Sequence, residues 1–414
     1  MAITILEGLI GSTPVRDNWY RAGLANLGVA LSYRFNRLGD LRDLVEAISR
    51  HRDAVELTPR AHPERPGRLN NLGTAFKARF QRLGELSDLH DAILMLREAV
   101  NLAPDSHPDK LSCLNTLGSS LEARFKCLGE LSDLEEAISR HRDCVGLTPR
   151  GHPKRHGRLN NLGNALKTRF RRLGEVGDLE EAITILREAV DLIPRGHPDK
   201  PARLQSLGNS YLTRFERLGQ LSDLEQAILI LKDSVDLTPH GHPGKPARFT
   251  RFPRGHRHKP ILLNNLGCCF QARFRRLGEP SDLKKSISIL RAAVDLTPDD
   301  HPHKPAHLSE LGNAFKARFN RLRKLNDLED AILMLKNAVD LSPVVTLFSP
   351  LCLTALAVLS EPVLSASANQ VTSRMQFCGI EVPMTSRLAI TLQSLLVSTT
   401  LVTPSSFASG ALGR

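Results

Sequence analysis

A Leu-Gly pair recurs along the chain with its glycine at Gly28, Gly73, Gly118, Gly163, Gly208, Gly267 and Gly312, at intervals of 45, 45, 45, 45, 59 and 45 residues. Such a period points to an array in which each unit buries its apolar face against the units beside it. The long interval is one period plus a 14-residue insertion near residues 249–262, and the array as a whole runs over residues 1–343.

Within the second copy, Leu69, Leu72, Phe76, Phe80 and Leu83 recur at steps of 3, 4, 4 and 3, the pattern of one helical face. A second face follows in Leu89, Ile93, Leu96 and Val100, with the small Ala92 and Ala99 beside it. Each repeat therefore reads as a helical hairpin. Gly84 and its equivalents Gly39, Gly129, Gly174, Gly219 and Gly278 end the first helix, with Arg323 at that place in the last copy. An aspartate present in every copy (Asp43, Asp88, Asp133, Asp178, Asp223, Asp282, Asp327) reads as the N-cap of the second helix. Glu46, Glu136, Glu181 and Gln226, three residues on, read as the other half of a capping box. Pro59, Pro104, Pro149, Pro194, Pro239, Pro298 and Pro343 stop the second helix. Residues Ala2–Leu6 reproduce Ala182–Leu186, so the chain opens on a second helix and holds seven first and eight second helices. A phenylalanine found in all seven copies, such as Phe80 and Phe170, is expected to fill the junction between helices.

Composition narrows the chemistry. Aromatic residues make up only 5%, which argues against a pocket built on stacking. Seven cysteines without a CxxC pair fit a reduced, cytoplasmic setting. The first residues carry no basic group ahead of their apolar stretch, so a secretory signal is not expected. Fifty-six basic against 44 acidic residues give a net charge of +12, which raises nucleic acid or an acidic partner. Arg34, Arg79, Arg124, Arg169, Arg214, Arg273 and Arg318, with a second arginine three residues later in six copies, account for an excess of that size. They read first as helix-end residues that favour the helix dipole and pair with acids on the second helix.

This layout resembles the tetratricopeptide repeat (TPR): Leu69, Leu72, Gly73 and Phe76 match its first helix, and Ala92, Leu96, Ala99 and Pro104 its second after a shift of seven residues. The LNNLG start is similar to kinesin-light-chain-type TPRs, and the longer unit to fungal arrays that precede a caspase-like CHAT protease domain. The resemblance implies an all-α fold, a right-handed TPR superhelix (α-solenoid) of antiparallel helical hairpins. It further implies a non-enzymatic scaffold that binds peptide segments in the concave groove lined by the first helices. No cofactor and no catalytic residue are implied, and no histidine follows His307 to complete a Cys-His protease dyad.

In that pattern one polar stripe faces the groove: Asn26, Asn71, Asn161 and Asn265 before the Leu-Gly pair, Asn164, Asn209 and Asn313 after it, then Lys77, Lys167 and Lys316. Amides can hold a peptide backbone, and lysine adds a preference for an acidic side chain or terminus. The His-Pro dipeptides at His62, His107, His152, His197, His242 and His301 read as loop structure, as does the His240, His242, His256 and His258 group, so no metal is expected. The stretch Leu237–Gly278 has nine basic residues and no acid, and with Phe249 and Phe252 it supports the alternative of a basic adaptor for nucleic acid or acidic partners. A truncated sensor arm of a CHAT-like signalling protein is a third reading. Residues 344–414 carry five charges, lack the repeat, and read as a poorly ordered apolar tail with membrane insertion not expected.

Overall fold

In the computed structural model, which describes residues 2–14, 17–238 and 254–341 and only the backbone of 254–258, every described element is an α-helix. Phe249, Phe252, His240, His242 and the whole tail lie outside the described residues, as do the side chains of His256 and His258. The chain divides into two units, Met1–Met334 and Leu335–Arg414.

α1 (Ala2–Ser12) is the leading second helix. Seven hairpins follow, each of a first helix A and a second helix B. They are α2 (Asn18–Leu38) and α3 (Leu41–Glu56), α4 (Arg65–Leu83) and α5 (Leu86–Leu102), α6 (Lys110–Leu128) and α7 (Leu131–Gly146), and α8 (Arg155–Leu173) and α9 (Val176–Asp191). The last three are α10 (Lys200–Leu218) and α11 (Leu221–Asp236), α12 (Arg254–Leu277) and α13 (Pro280–Asp295), and α14 (Lys304–Leu322) and α15 (Leu325–Asp340). From α2 to α12 each A helix packs on the B helix of its own hairpin, and from α3 to α13 each B helix packs on the next A helix. Successive A helices also touch, whereas successive B helices come no closer than the reach of long side chains such as the Arg97–Glu136 and Arg142–Glu181 pairs. The array therefore bends toward its A helices, an α-solenoid with the A face inside.

Leu69, Leu72 and Phe76 of α4 meet Leu89, Ala92, Ile93 and Leu96 of α5 in one buried cluster, each large side chain contributing roughly 1.5–3 kcal/mol of transfer free energy. The Leu-Gly pair sets the spacing: a Cβ on Gly73 would lie 2.7 Å from Leu96 Cγ and 3.1 Å from the Ala92 carbonyl oxygen. Six A helices end on a left-handed glycine whose N–H bonds the carbonyl four residues back, and Arg323 takes the same conformation at φ 55°.

Three expectations need correction. The recurring aspartate is not the N-cap. Each B helix starts two residues earlier, which puts Asp43, Asp88, Asp133 and their equivalents at the third helical position. There the arginine nine residues upstream takes the carboxylate: in six copies Nε and Nη2 bind both oxygens, as in Arg124–Asp133 at 2.7 and 2.5 Å. In the seventh, Arg318 reaches Asp327 through Nη2 alone at 2.5 Å. The capping-box reading falls with it, since Glu136 and Glu181 bind arginines of the preceding B helix instead. The junction phenylalanine is buried in Phe125, Phe170 and Phe215 but only half-buried in Phe35, Phe80, Phe274 and Phe319. It lies one turn nearer the A–B turn than Phe76, which is 3% exposed.

The joints between repeats use a device that periodicity did not reveal. From α4 onward, a basic residue at the start of each A helix ties down the carbonyl end of the preceding B helix: Lys200 Nζ donates to Val190 O (2.7 Å) and Ile193 O (2.8 Å), and Arg155 Nη1 to Val145 O (3.1 Å) and Thr148 O (2.7 Å). Arg65, Lys110 and Lys304 do likewise. Past the insertion, Lys259 bonds Thr238 O, so the same tie closes the lengthened joint. The joint histidines are loop structure: Nδ1 of His62, His107, His152, His197 and His301 accepts the backbone N–H two residues on.

Candidate functional site

The residues of the polar stripe lie on successive A helices, but they differ in what they do there. Asn26 on α2 is exposed, while Asn71, Asn209, Asn265 and Asn313 are half-buried on α4, α10, α12 and α14. Asn161 on α8 donates through Nδ2 to Asn115 Oδ1 of α6 at 2.9 Å, and Asn164 to Ser206 Oγ of α10 at 3.5 Å. These amides thus link neighbouring A helices.

The lysines are more distinctive. Lys167 is 9% exposed and has no hydrogen bond or ion pair among the described residues. Burial, then Arg171 and Lys126 nearby, push its ammonium down to about 8. Lys77 is lowered by burial too, with Glu122 opposing and Lys126 reinforcing the shift. Lys77, Lys126, Lys167 and Arg171 therefore form a predominantly positive floor across α4, α6 and α8, with Glu122 beside Lys77 and Glu216 beside Arg171. Lys316 is half-buried on α14. Farther along, Gln271 Nε2 donates to Glu310 O at 2.9 Å and Arg275 donates to Gln271 Oε1 at 3.1 Å. Burial raises the Glu310 carboxyl, with Cys268 and Arg275 pulling it back.

Sequence reasoning missed Glu122, Lys126, Arg171, Gln271 and Arg275. The signal was available: adding one period to Lys77 reaches Glu122, and the residues equivalent to Gln81 are Lys126, Arg171, Glu216 and Arg275.

One group has the composition of a metal site: His156, His197 and Asp199 offer ligand atoms within 4.8 Å of one another. Their hydrogen bonds speak against it. His156 Nδ1 accepts from Arg203 Nε (3.4 Å) and His197 Nδ1 from the Asp199 N–H (3.1 Å), which leaves the ring protons on Nε2, with the Arg203 guanidinium alongside. Burial holds the thiols of Cys113, Cys144 and Cys269 up at about 12, 11 and 12, so they are inert. No helix among the described residues is long and apolar enough to cross a membrane.

No curated protein matches the chain in sequence. Among solved structures, human IFIT1, a dimer with PPP-AAAA, aligns over 87% of this chain and 68% of its own at 12% identity, with a TM-score of 0.50. A Podosopora anserina protein of nearly identical TPR-like repeats aligns over 55% of this chain and 96% of its own at 18% identity and a TM-score of 0.39. Pseudomonas aeruginosa pilF aligns over 67% and 92% at 16% identity and a TM-score of 0.42. The family model described as the tetratricopeptide repeat matches residues 157–199, one period of the array. With that period recurring in seven hairpins of one fold, the chain is a tetratricopeptide repeat protein.

Proposed function

We propose that the protein is a non-enzymatic scaffold of a reducing, cytoplasmic compartment, which binds an extended acidic segment of a partner protein along the A-helix face. TPR arrays commonly mediate contacts between proteins. The observation that carries the reading here is Lys167, a nearly buried cation without a counter-ion, flanked by Lys126 and Arg171. A charge left so is costly, and a ligand carboxylate supplies what the chain does not. Asn71, Asn161 and Asn265 lie on the same face to meet the segment's backbone.

Affinity capture with the full chain supplies the partner, and Lys167→Met tests the site. The variant is expected to fold at least as stably, because an unpaired buried charge is removed, and to bind at least about tenfold more weakly. Retained affinity would refute the reading. The alternative, a nucleic-acid adaptor, draws on the exposed Arg37, Arg82, Arg172, Arg217, Arg276 and Arg321. It requires affinity to fall steeply with the logarithm of salt concentration and to collapse when Arg251, Arg254 and Arg257 are reversed in charge.

A further inference from the structure

Two B helices carry histidine where the others carry leucine: His51 on α3 and His141 on α7 stand in place of Leu96, Leu186, Leu231 and Leu290. Both rings press against the glycine of the Leu-Gly pair, so that a Cβ on Gly28 would lie 2.6 Å from His51 Cε1 and one on Gly118 would lie 2.7 Å from His141 Cε1. In both rings Nδ1 is buried without a partner.

The two sites differ at the residue 19 positions upstream. In the third copy this is Glu122, whose Oε1 lies 2.9 Å from His141 Nε2. In the first copy it is Ser32, too short to reach. Ser32 Oγ is buried and unpartnered, and no hydrogen bond is made by His51, which is 2% exposed. Where the glutamate would extend there is instead a cavity of about 240 Å3, lined by His51, Ser32, Phe35, Asn36, Asn71 and Thr74 among others. It lies between α2, α3 and α4.

The geometry points to this cavity as the receptor for a carboxylate side chain of the bound protein segment, which takes at His51 and Ser32 the place that Glu122 takes at His141. The inference rests on the groove-binding reading and adds to it a specific residue type and address. An acceptor-only group suits the site, since a ring carrying its proton on Nε2 and a serine hydroxyl both donate. The buried Ser32 hydroxyl, left unmatched, costs free energy that such a ligand recovers, and His51 Nδ1 stays without a partner, as His141 Nδ1 does beside Glu122. Burial holds the His51 ring at about 4, so it is a neutral donor at neutral pH. A cavity of this size exceeds what one water fills.

The test uses the full chain with two small probes, N-acetyl-glutamate α-amide and N-acetyl-glutamine α-amide. It is read by the imidazole resonances of His51 and by the rise in unfolding midpoint. The glutamate probe is expected to saturate at concentrations at least about tenfold below the glutamine probe. Ser32→Glu, which supplies the carboxylate internally, and His51→Leu, which installs the residue of the other copies, should each abolish the rise. Should Ser32→Glu fail to fold, His51→Leu alone decides. Equal responses to the two probes, no response to either, or a response that survives both substitutions would overturn the proposal. Lys167→Met separates the two readings. If it loses the partner while Ser32→Glu keeps it, the carboxylate receptor falls and the groove stands; if both variants keep the partner, both readings fall.

Discussion

Asp133 and Arg124 exemplify the interaction that every hairpin repeats. Their side chains are 7% and 18% exposed, and the guanidinium grips both carboxylate oxygens across the A–B turn. Asparagine distinguishes this role from a cap, because Asn and Asp are nearly equivalent at an N-cap while an amide cannot replace a carboxylate under an arginine fork. Asp133→Asn is therefore expected to cost about 3 kcal/mol in urea unfolding, the scale of breaking a largely buried pair; a loss within about 0.5 kcal/mol would restore the capping role. Lys167 makes a pH prediction of definite sign. Its free-state value of about 8 lies below the ordinary 10.5, and a bound carboxylate raises it. The complex thus holds more protons than the free protein above about pH 8, and affinity falls as pH rises through that value. In Lys167→Met the remaining binding should lose this dependence.

The joints decide how one hairpin follows the next. In the joint after α9, Lys200 satisfies two carbonyls that the helix leaves open, while arginine does the same work at 65 and 155. Lys200→Arg should hence leave the unfolding midpoint nearly unchanged, whereas Lys200→Met should cost about 1.5–3 kcal/mol, the scale of charge-assisted hydrogen bonds. Equal effects of the two substitutions would show that the aliphatic stem, and not the ammonium, is what matters. At the A–B turn, the half-buried Phe80 should tolerate alanine better than Phe76, whose full truncation costs about 3–5 kcal/mol.

Across the first unit, contacts run only between neighbouring hairpins and between adjacent A helices, as expected of a quasi-one-dimensional array. Excising residues 110–154, one 45-residue period containing α6 and α7, joins Asp109 to Arg155, a joint chemically like the one it replaces. The shortened chain should fold with an unchanged helical circular dichroism signal per residue and a lower unfolding midpoint, since one interface is lost. A collapse of helicity would mean that the array depends on contacts beyond nearest neighbours. The same excision removes Glu122, Lys126 and His141 while sparing His51, so it shortens the positive floor of the groove without touching the cavity at its N-terminal end.

Helix identity, hairpin order and the position of each A-helix end were legible in the chain, because a 3.6-residue apolar period and a proline recur in seven copies and a left-handed glycine in six. Repetition also exposed the polar stripe of Asn71, Asn161 and Lys167. What the linear pattern could not decide was the partner of each polar group. Asp43 and its equivalents carry the signature of a cap, and only the folded hairpin brings Arg34 and its equivalents close enough to claim them. The fate of a polar residue on an A helix likewise depends on the helices packed beside it: Asn161 meets Asn115 of the preceding A helix, Glu122 meets His141 of its own hairpin, and Lys167 meets no counter-charge among the described residues. Local propensity depends on residues within a turn of one another, whereas the charge and vacancy of the groove arise from side chains 19 to 46 positions apart, whose meeting is set by how one hairpin packs on the next.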